Sequence, residues 1–293
     1  MDRVLRDRRA ILVFIGPALL LYTLVLLIPI VWSVGYTFFE GSPVSGFRFN
    51  GITNYVELVG DAKFWQALWF STQYAAVVTS GQVVLGLLLA LLFHFYLKRG
   101  SSIVRTLVFF PVVLPTVAVA AIFSKLFAIA PQYGLVNALI DLFMGKEAVV
   151  SWLGRGGSAF WVIAIMDIWR AMGFYAVILY AGLLDIPSDV LEAASLDGAK
   201  GWRLVQFIII PLILPILISS LIFSLNGTLK VFDSIVALTN GGPGSATTPL
   251  TLYMYRSAFT NNAYGYGSTV AVMLAIYCLI VSLVAYRVTR NNA

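Results

Sequence analysis

Apolar residues in this chain gather into long runs rather than into the short alternating or 3.6-residue stripes of a soluble protein. Six runs stand out, at about 11–38, 68–97, 104–129, 160–184, 207–229 and 268–288. Each reaches the roughly 20 residues needed to cross about 30 Å of hydrocarbon. Lipid offers no partners to open backbone groups, so each run is expected to be helical. The pattern predicts an all-α integral membrane protein: six transmembrane helices forming a single domain over residues 1–293, with a polar loop at 185–206 between the fourth and fifth spans. Pro111 and Pro115 predict a kink in the third span. Gly81, Gly86 and Ala90 predict close helix contact along the second.

Composition agrees. The chain is 60% hydrophobic and 11% charged, against about 25% charged in soluble domains, and its mean hydropathy is +0.92. The first run, Ala10 to Trp32, is longer than the apolar core of a secretory signal and is expected to stay as a span. The formal charge of +6 comes from basic residues at the ends of the runs, where they set topology, so no nucleic-acid partner is expected. Lipid is the expected surroundings. With the N-terminus inside, the inner segments hold Arg3, Arg6, Arg8, Arg9, Lys98, Arg99, Arg105, Lys200, Arg203, Arg287 and Arg290, and the outer ones Arg48, Lys63, Lys146, Arg155, Lys230 and Arg256. That bias predicts both termini in the cytoplasm and the 185–206 loop on the same side.

Little enzyme chemistry is on offer. Cys278 and His94 are the only residues of their types, too few for a typical metal site, and the chain has no glycine-rich phosphate-binding loop. No cofactor is expected in this chain, and no catalytic role. An intramembrane enzyme would need a nucleophile and base, or a metal pair, within the spans.

The 185–206 loop has its own logic. Pro187 and Ser188 are helix-start residues, with serine able to cap exposed amides. Asp189 and Glu192 suit the positive end of a helix. Val190, Leu191, Ala194 and Leu196 can supply an apolar face, and Gly198 can end the helix in a left-handed conformation. A short amphipathic helix with small alanines could seat in a groove of a partner protein; it could equally lie on the membrane surface.

Within this loop the chain resembles a family. Glu192-Ala193-Ala194, Gly198, Ile208 and Ile210-Pro211 match the signature of permease subunits of ATP-binding-cassette (ABC) importers, with isoleucine at 210 where the family carries leucine. Phe109-Phe110-Pro111, Leu114-Pro115, Tyr133-Gly134-Leu135-Val136-Asn137, Trp169, Ala181-Gly182-Leu183 and Ile186-Pro187 are similar to carbohydrate-importer permeases. So are Leu238-Thr239-Asn240-Gly241-Gly242-Pro243, Tyr253, Tyr255 and Ala258-Phe259, which resemble the maltose- and glycerol-phosphate-permease type.

The resemblance implies the type I ABC importer transmembrane fold in a bacterial or archaeal cytoplasmic membrane. It implies a second permease subunit as heterodimer partner, two copies of an ABC ATPase that bind ATP and magnesium, and an extracytoplasmic solute-binding protein. Glu192, Ala193, Ala194, Asp197 and Gly198 would then couple the chain to the ATPase. A sugar needs polar groups for its hydroxyls and aromatic faces for its C–H surfaces, and polar groups within spans are functional candidates by default. Asp167, Trp169, Arg170 and Phe174 in the fourth span, and Asn226, Lys230 and Asp233 after the fifth, are the candidate contacts. Asp167 with Arg170, and Lys230 with Asp233, are each spaced to form a structural ion pair instead. Lys230 stands near an asparagine position of maltose-type permeases, which leaves an anionic solute as an option. The rivals are an ion-coupled secondary transporter, for which Asp167 is the one plausible midplane carboxylate, and an ABC permease for a non-sugar solute.

Overall fold

A computed structural model describes residues 8–97, 100–129 and 132–290. Arg3, Arg6, Lys98 and Arg99, on which part of the topology argument rests, lie outside the described residues. In chain order the helices are α1 (Arg8–Tyr22), a π-helical turn, α2 (Ile28–Tyr36), α3 (Thr53–Gly60), α4 (Ala62–Phe95), α5 (Ser101–Val113), α6 (Thr116–Leu126), α7 (Leu135–Met144) and α8 (Gly156–Leu184). They continue as α9 (Ser188–Leu196), α10 (Trp202–Leu204), a second π turn, α11 (Ile210–Leu229), α12 (Asp233–Leu238), α13 (Leu250–Tyr255), a third π turn and α14 (Tyr264–Arg290). The fold is not wholly helical. Between α2 and α3 a hairpin pairs β1 (Phe39–Ser42) antiparallel with β2 (Gly46–Phe49), Phe39 opposite Phe49 and Ser42 opposite Gly46.

Among the described residues, five helices are long and apolar enough to cross a membrane, and six if α5 and α6 count as one span. The third span is broken rather than kinked: its halves meet at 98°. The break sits at Leu114–Pro115, both extended, with ψ of 139° and 131°. A residue before proline is driven out of the helical region, and this places the break at Pro115. Pro111 stays inside α5 and is buried there.

The chain divides into two compact units. The smaller comprises residues 1–64 with 253–276, and the larger 65–252 with 277–293. In the smaller unit, Asn54 on α3 donates to the carbonyls of Thr37 and Phe39, at 2.8 and 2.9 Å, and so holds the root of the hairpin. Asp61 caps α4 by accepting from the amide of Lys63 at 2.9 Å. Its other oxygen accepts from the hydroxyls of Tyr253 and Tyr266.

In the larger unit α4, α5, α8 and α11 pack closely. A side chain at Gly86 of α4 would come within 2.7 Å of Tyr175 Cβ on α8, and one at Gly173 within 2.1 Å of the Val108 carbonyl on α5. Glycine therefore sets the helix separation at both places. One cluster joins Tyr74, Val119, Ile163, Met166 and Ile235, and another joins Val83, Leu179, Leu183, Ile209 and Ile213. Asn137, fully buried, ties α7 to the preceding loop through Ala128 O and to the following one through Val150 O and Trp152 Nε1. The Gly241-Gly242-Pro243 segment is no loose surface loop. Thr247 and Thr248 fold back to donate to the Gly242 and Gly241 carbonyls, at 2.6 and 3.1 Å, and both threonines are buried.

Burial pushes the Asp61 carboxyl up, but hydrogen bonds from Tyr253, Tyr266 and the Lys63 and Phe64 amides outweigh it, holding the carboxyl below its usual range. A depressed carboxylate stabilises the fold above its unfolded pKa and loses that contribution as pH falls through the folded value. The unfolding midpoint of the purified protein, measured against pH, should therefore drop across and just below the ordinary carboxylate range, and Asp61→Asn should remove that component. An identical acid profile in the variant would contradict the assignment.

Candidate functional site

In the larger unit, four helices bring polar side chains to one place inside an apolar surround. Asp167 of α8 is only 5% exposed. Its Oδ2 accepts hydrogen bonds from Tyr74 of α4 and from Ser234 of α12, the latter at 2.7 Å. Its backbone carbonyl accepts from Gln82 Nε2 at 3.1 Å, while Gln82 Oε1 takes the Ser224 hydroxyl proton at 2.7 Å. Thr79 and Thr228 join α4 to α11 below them, at 2.9 Å. The seam exists because tyrosine, glutamine, serine and threonine fall on the facing sides of α4, α11 and α12. Each pair satisfies groups that would be costly to leave open in this setting.

Beside the seam lies a cavity of about 250 Å³, lined by Tyr74, Gln82, Asp167, Arg170, Tyr175, Ser224, Thr228, Lys230, Asp233 and Ser234, among others. Arg170 Nε lies 3.5 Å from Asp167 Oδ1, an ion pair, yet neither atom makes a hydrogen bond within the described protein. Lys230, at the carboxyl end of α11, and Asp233, in the first turn of α12, are exposed on the lining. Their spacing allows an ion pair, but among the described residues none joins them.

The cavity thus gathers four of the seven sequence-derived contact residues: Asp167, Arg170, Lys230 and Asp233. The other three lie elsewhere. Trp169 packs against Phe123, ring centres 5.8 Å apart, at the first apolar cluster. Phe174 packs on Phe223 at 5.7 Å. Asn226 donates to the Ile222 carbonyl and accepts from Ser282. α11 runs unbroken through Gly227 to Leu229. Tyr74, Gln82, Ser224, Thr228 and Ser234 belong to the site without having been singled out. Polar residues at helical spacing within apolar runs were the available signal.

The second candidate site is α9, set between α8 and α11. Ser188 does not cap it: Pro187 precedes the first turn, no side chain caps it, and the Ser188 hydroxyl lies 3.4 Å from Asp189 Oδ1. The carboxyl end behaves as expected. Gly198 has φ +84°. Its amide donates to the Ser195 carbonyl and that of Ala199 to the Ala194 carbonyl, at 3.2 and 2.9 Å, a Schellman closure. The apolar face divides. Leu191 packs against the second apolar cluster and Ala194 is buried, whereas Val190 and Leu196 face out, Leu196 at 89% exposure. Glu192, Ala193, Asp197 and Gly198 are all exposed, so of the paired alanines only Ala193 offers a small outward surface.

Residues 82–292 match the family described as the binding-protein-dependent transport system inner membrane component. The chain is 34% identical over 242 residues to the trehalose/maltose transport system permease protein of Thermococcus litoralis, covering 83% of this chain and 80% of that one. It is 32% identical over 290 residues to the sulfoquinovosyl glycerol transport system permease protein of Agrobacterium fabrum, covering 98% and 92%. Among solved structures, a chain of a bacterial ABC transporter involved in import of the acidic polysaccharide alginate superposes with a TM-score of 0.84 over 99% of both chains, at 21% identity. At that identity the likeness speaks for the fold.

Tyr74 and Ser234 share one carboxylate oxygen, so their contributions should be coupled. Tyr74→Phe and Ser234→Ala should each lower the stability of the purified protein by about 1–3 kcal/mol. The double variant should deviate from the sum by at least about 0.5 kcal/mol in a denaturation double-mutant cycle. Strict additivity would show that the two hydroxyls act independently.

Proposed function

Because the chain belongs to the family of binding-protein-dependent transport system inner membrane components, with the fold of an ABC importer transmembrane subunit, we propose that it is the permease subunit of a sugar importer driven by partner ATPases. The observation that carries this reading is α9. It is a short exposed helix on a chain that is itself a membrane-spanning scaffold, closed by Gly198 and presenting Glu192, Ala193 and Asp197 outward. Sugar as the cargo is supported by relatives whose names specify trehalose/maltose, lactose and sulfoquinovosyl glycerol transport, and by a cavity rich in hydroxyl, amide and paired charged groups.

In this reading the chain sits in a bacterial or archaeal cytoplasmic membrane with both termini and α9 on the cytoplasmic side. It pairs with a second permease, two ABC ATPase subunits that bind ATP and magnesium, and an outer solute-binding protein. ATP binding closes the ATPases. α9 moves with them and rocks the permease pair between inward- and outward-open states, a two-state element biased by its ligands. Asp167, Arg170, Lys230 and Asp233 meet the solute in transit. The chain makes and breaks no covalent bond.

Affinity purification from native membranes with mass spectrometry should recover an ABC ATPase, a second permease and a solute-binding protein. Ala193→Trp adds bulk to an exposed position, so insertion should be unchanged while ATP-driven uptake falls at least tenfold. Transport by the isolated chain in liposomes without ATP would overturn the proposal in favour of a secondary transporter.

A further inference from the structure

Within the larger unit, a second hollow of about 540 Å³ opens between the carboxyl end of α4 and the segment that leads into α11. It shares no lining residue with the polar cavity. One wall carries Leu88 and Leu92 of α4, with Tyr96 just past the end of that helix, at a spacing that sets them on one face. The other carries Gly201, Trp202 and Val205. Leu88, Leu92, Tyr96 and Trp202 are exposed, and no carboxylate is among the described lining residues.

The groove has a direction. From Tyr96 to Leu88 the chain rises about 12 Å along a helix, close to the roughly 15 Å of hydrocarbon in one leaflet. The deep end is aliphatic. The mouth carries Tyr96 and Trp202, side chains suited to the membrane–water interface. Lys200 and Arg203 flank Trp202 in the chain, are exposed, and have no ion-pair partner among the described residues. Aliphatic, then aromatic, then cationic is the order that suits a phospholipid's acyl chain, glycerol backbone and phosphate. A water-soluble subunit has no route to Leu88, which stands within the membrane-spanning helix Ala62–Phe95. The two unpaired cations favour a headgroup of net negative charge, each basic residue near the surface strengthening that attraction about fivefold.

We propose that this groove is a binding site for one anionic glycerophospholipid of the inner leaflet. An acyl chain lies between Leu88, Leu92 and Val205, and the phosphate meets Lys200 and Arg203 at the mouth. The choice of leaflet rests on the proposed cytoplasmic placement of α9; the site itself does not depend on the cargo. Gly201 lines the groove at φ +57° on the link between α9 and α11, so the bound lipid touches the segment that joins α9 to its span.

The test uses the full chain, purified from its native membranes with the subunits it retains and placed in phosphatidylcholine nanodiscs. Phosphatidylglycerol or phosphatidylcholine with brominated acyl chains is then added. Quenching of Trp202 is read as the difference between each protein and its Trp202→Phe counterpart. Brominated phosphatidylglycerol should quench at a mole fraction about fivefold to thirtyfold lower than brominated phosphatidylcholine, the range for one to two basic residues. Lys200→Gln with Arg203→Gln should remove that preference. So should Leu88→Phe with Leu92→Phe, which fills the groove from exposed positions. Arg287→Gln, which withdraws an exposed charge near the end of α14, should leave it unchanged. Equal quenching by the two lipids in the wild type overturns the site and leaves ordinary surrounding lipid. A loss as large in Arg287→Gln overturns it in favour of general surface charge. No quenching by either lipid means that a protein subunit covers the groove, which overturns it too. The readout involves neither solute nor ATP, so each of these outcomes leaves the sugar-permease proposal to its own test.

Discussion

Burying a carboxylate in an apolar helix bundle costs several kcal/mol unless its oxygens are met by donors and a counter-charge, and the larger unit is arranged around meeting that demand for Asp167. Tyr74 comes from α4, Ser234 from α12 and Arg170 from the next turn of α8, so three elements are fixed relative to one another by one carboxyl group. Gly86 serves the same geometry, since a larger residue there would push α4 away from α8, across which Tyr74 and Gln82 reach Asp167. Packing and polar satisfaction are thus one problem with one solution, which also leaves a polar cavity beside the seam.

The same logic separates the two sites. The cavity is polar, has Lys230 and Asp233 exposed at its lining, and is built mainly on long helices whose positions are mutually determined. α9 is short, exposed and held to the rest by Leu191 and Ala194 alone among its apolar residues. In the proposed transport cycle α9 would be the element moved from outside the chain, which requires exposed surface, while the cavity would meet the solute. Gly198 at φ +84° and Gly201 at φ +57° bracket the link from α9 toward α11, so α9 is joined to its span by backbone conformations that larger residues seldom adopt.

Much of the fold was legible in the sequence because an unbroken apolar run of roughly 20 residues matches the thickness of a bilayer and little else. The charged members of the cavity were legible for a related reason: Asp167, Arg170, Lys230 and Asp233 are costly where they stand. Neutral polar residues carry no such flag. Ser219 and Ser220 bond to carbonyls one turn back in their own helix, at 2.8 Å each, while Ser224 reaches across to Gln82. Nothing local distinguishes a serine that turns back from one that reaches across. Trp169 and Phe174 are ambiguous for the converse reason, since an aromatic side chain is as useful in a core as against a sugar. Ser188 looked like a cap, but Pro187 takes the position before the first turn and leaves serine one residue too far along.

The segment Leu12–Tyr36 shows none of its apolar window buried, and the family match begins only at residue 82. A helix that touches so little of its own chain has few internal constraints on which apolar residue stands where. Exchanges among leucine, isoleucine, valine and phenylalanine there leave the polar seam and the packing glycines untouched, because hydrophobicity and length are all the fold requires of it. Mutational drift should therefore be uneven along the gene: freer in composition through the first span, and narrowly channelled where α4, α8, α11 and α12 meet around Asp167.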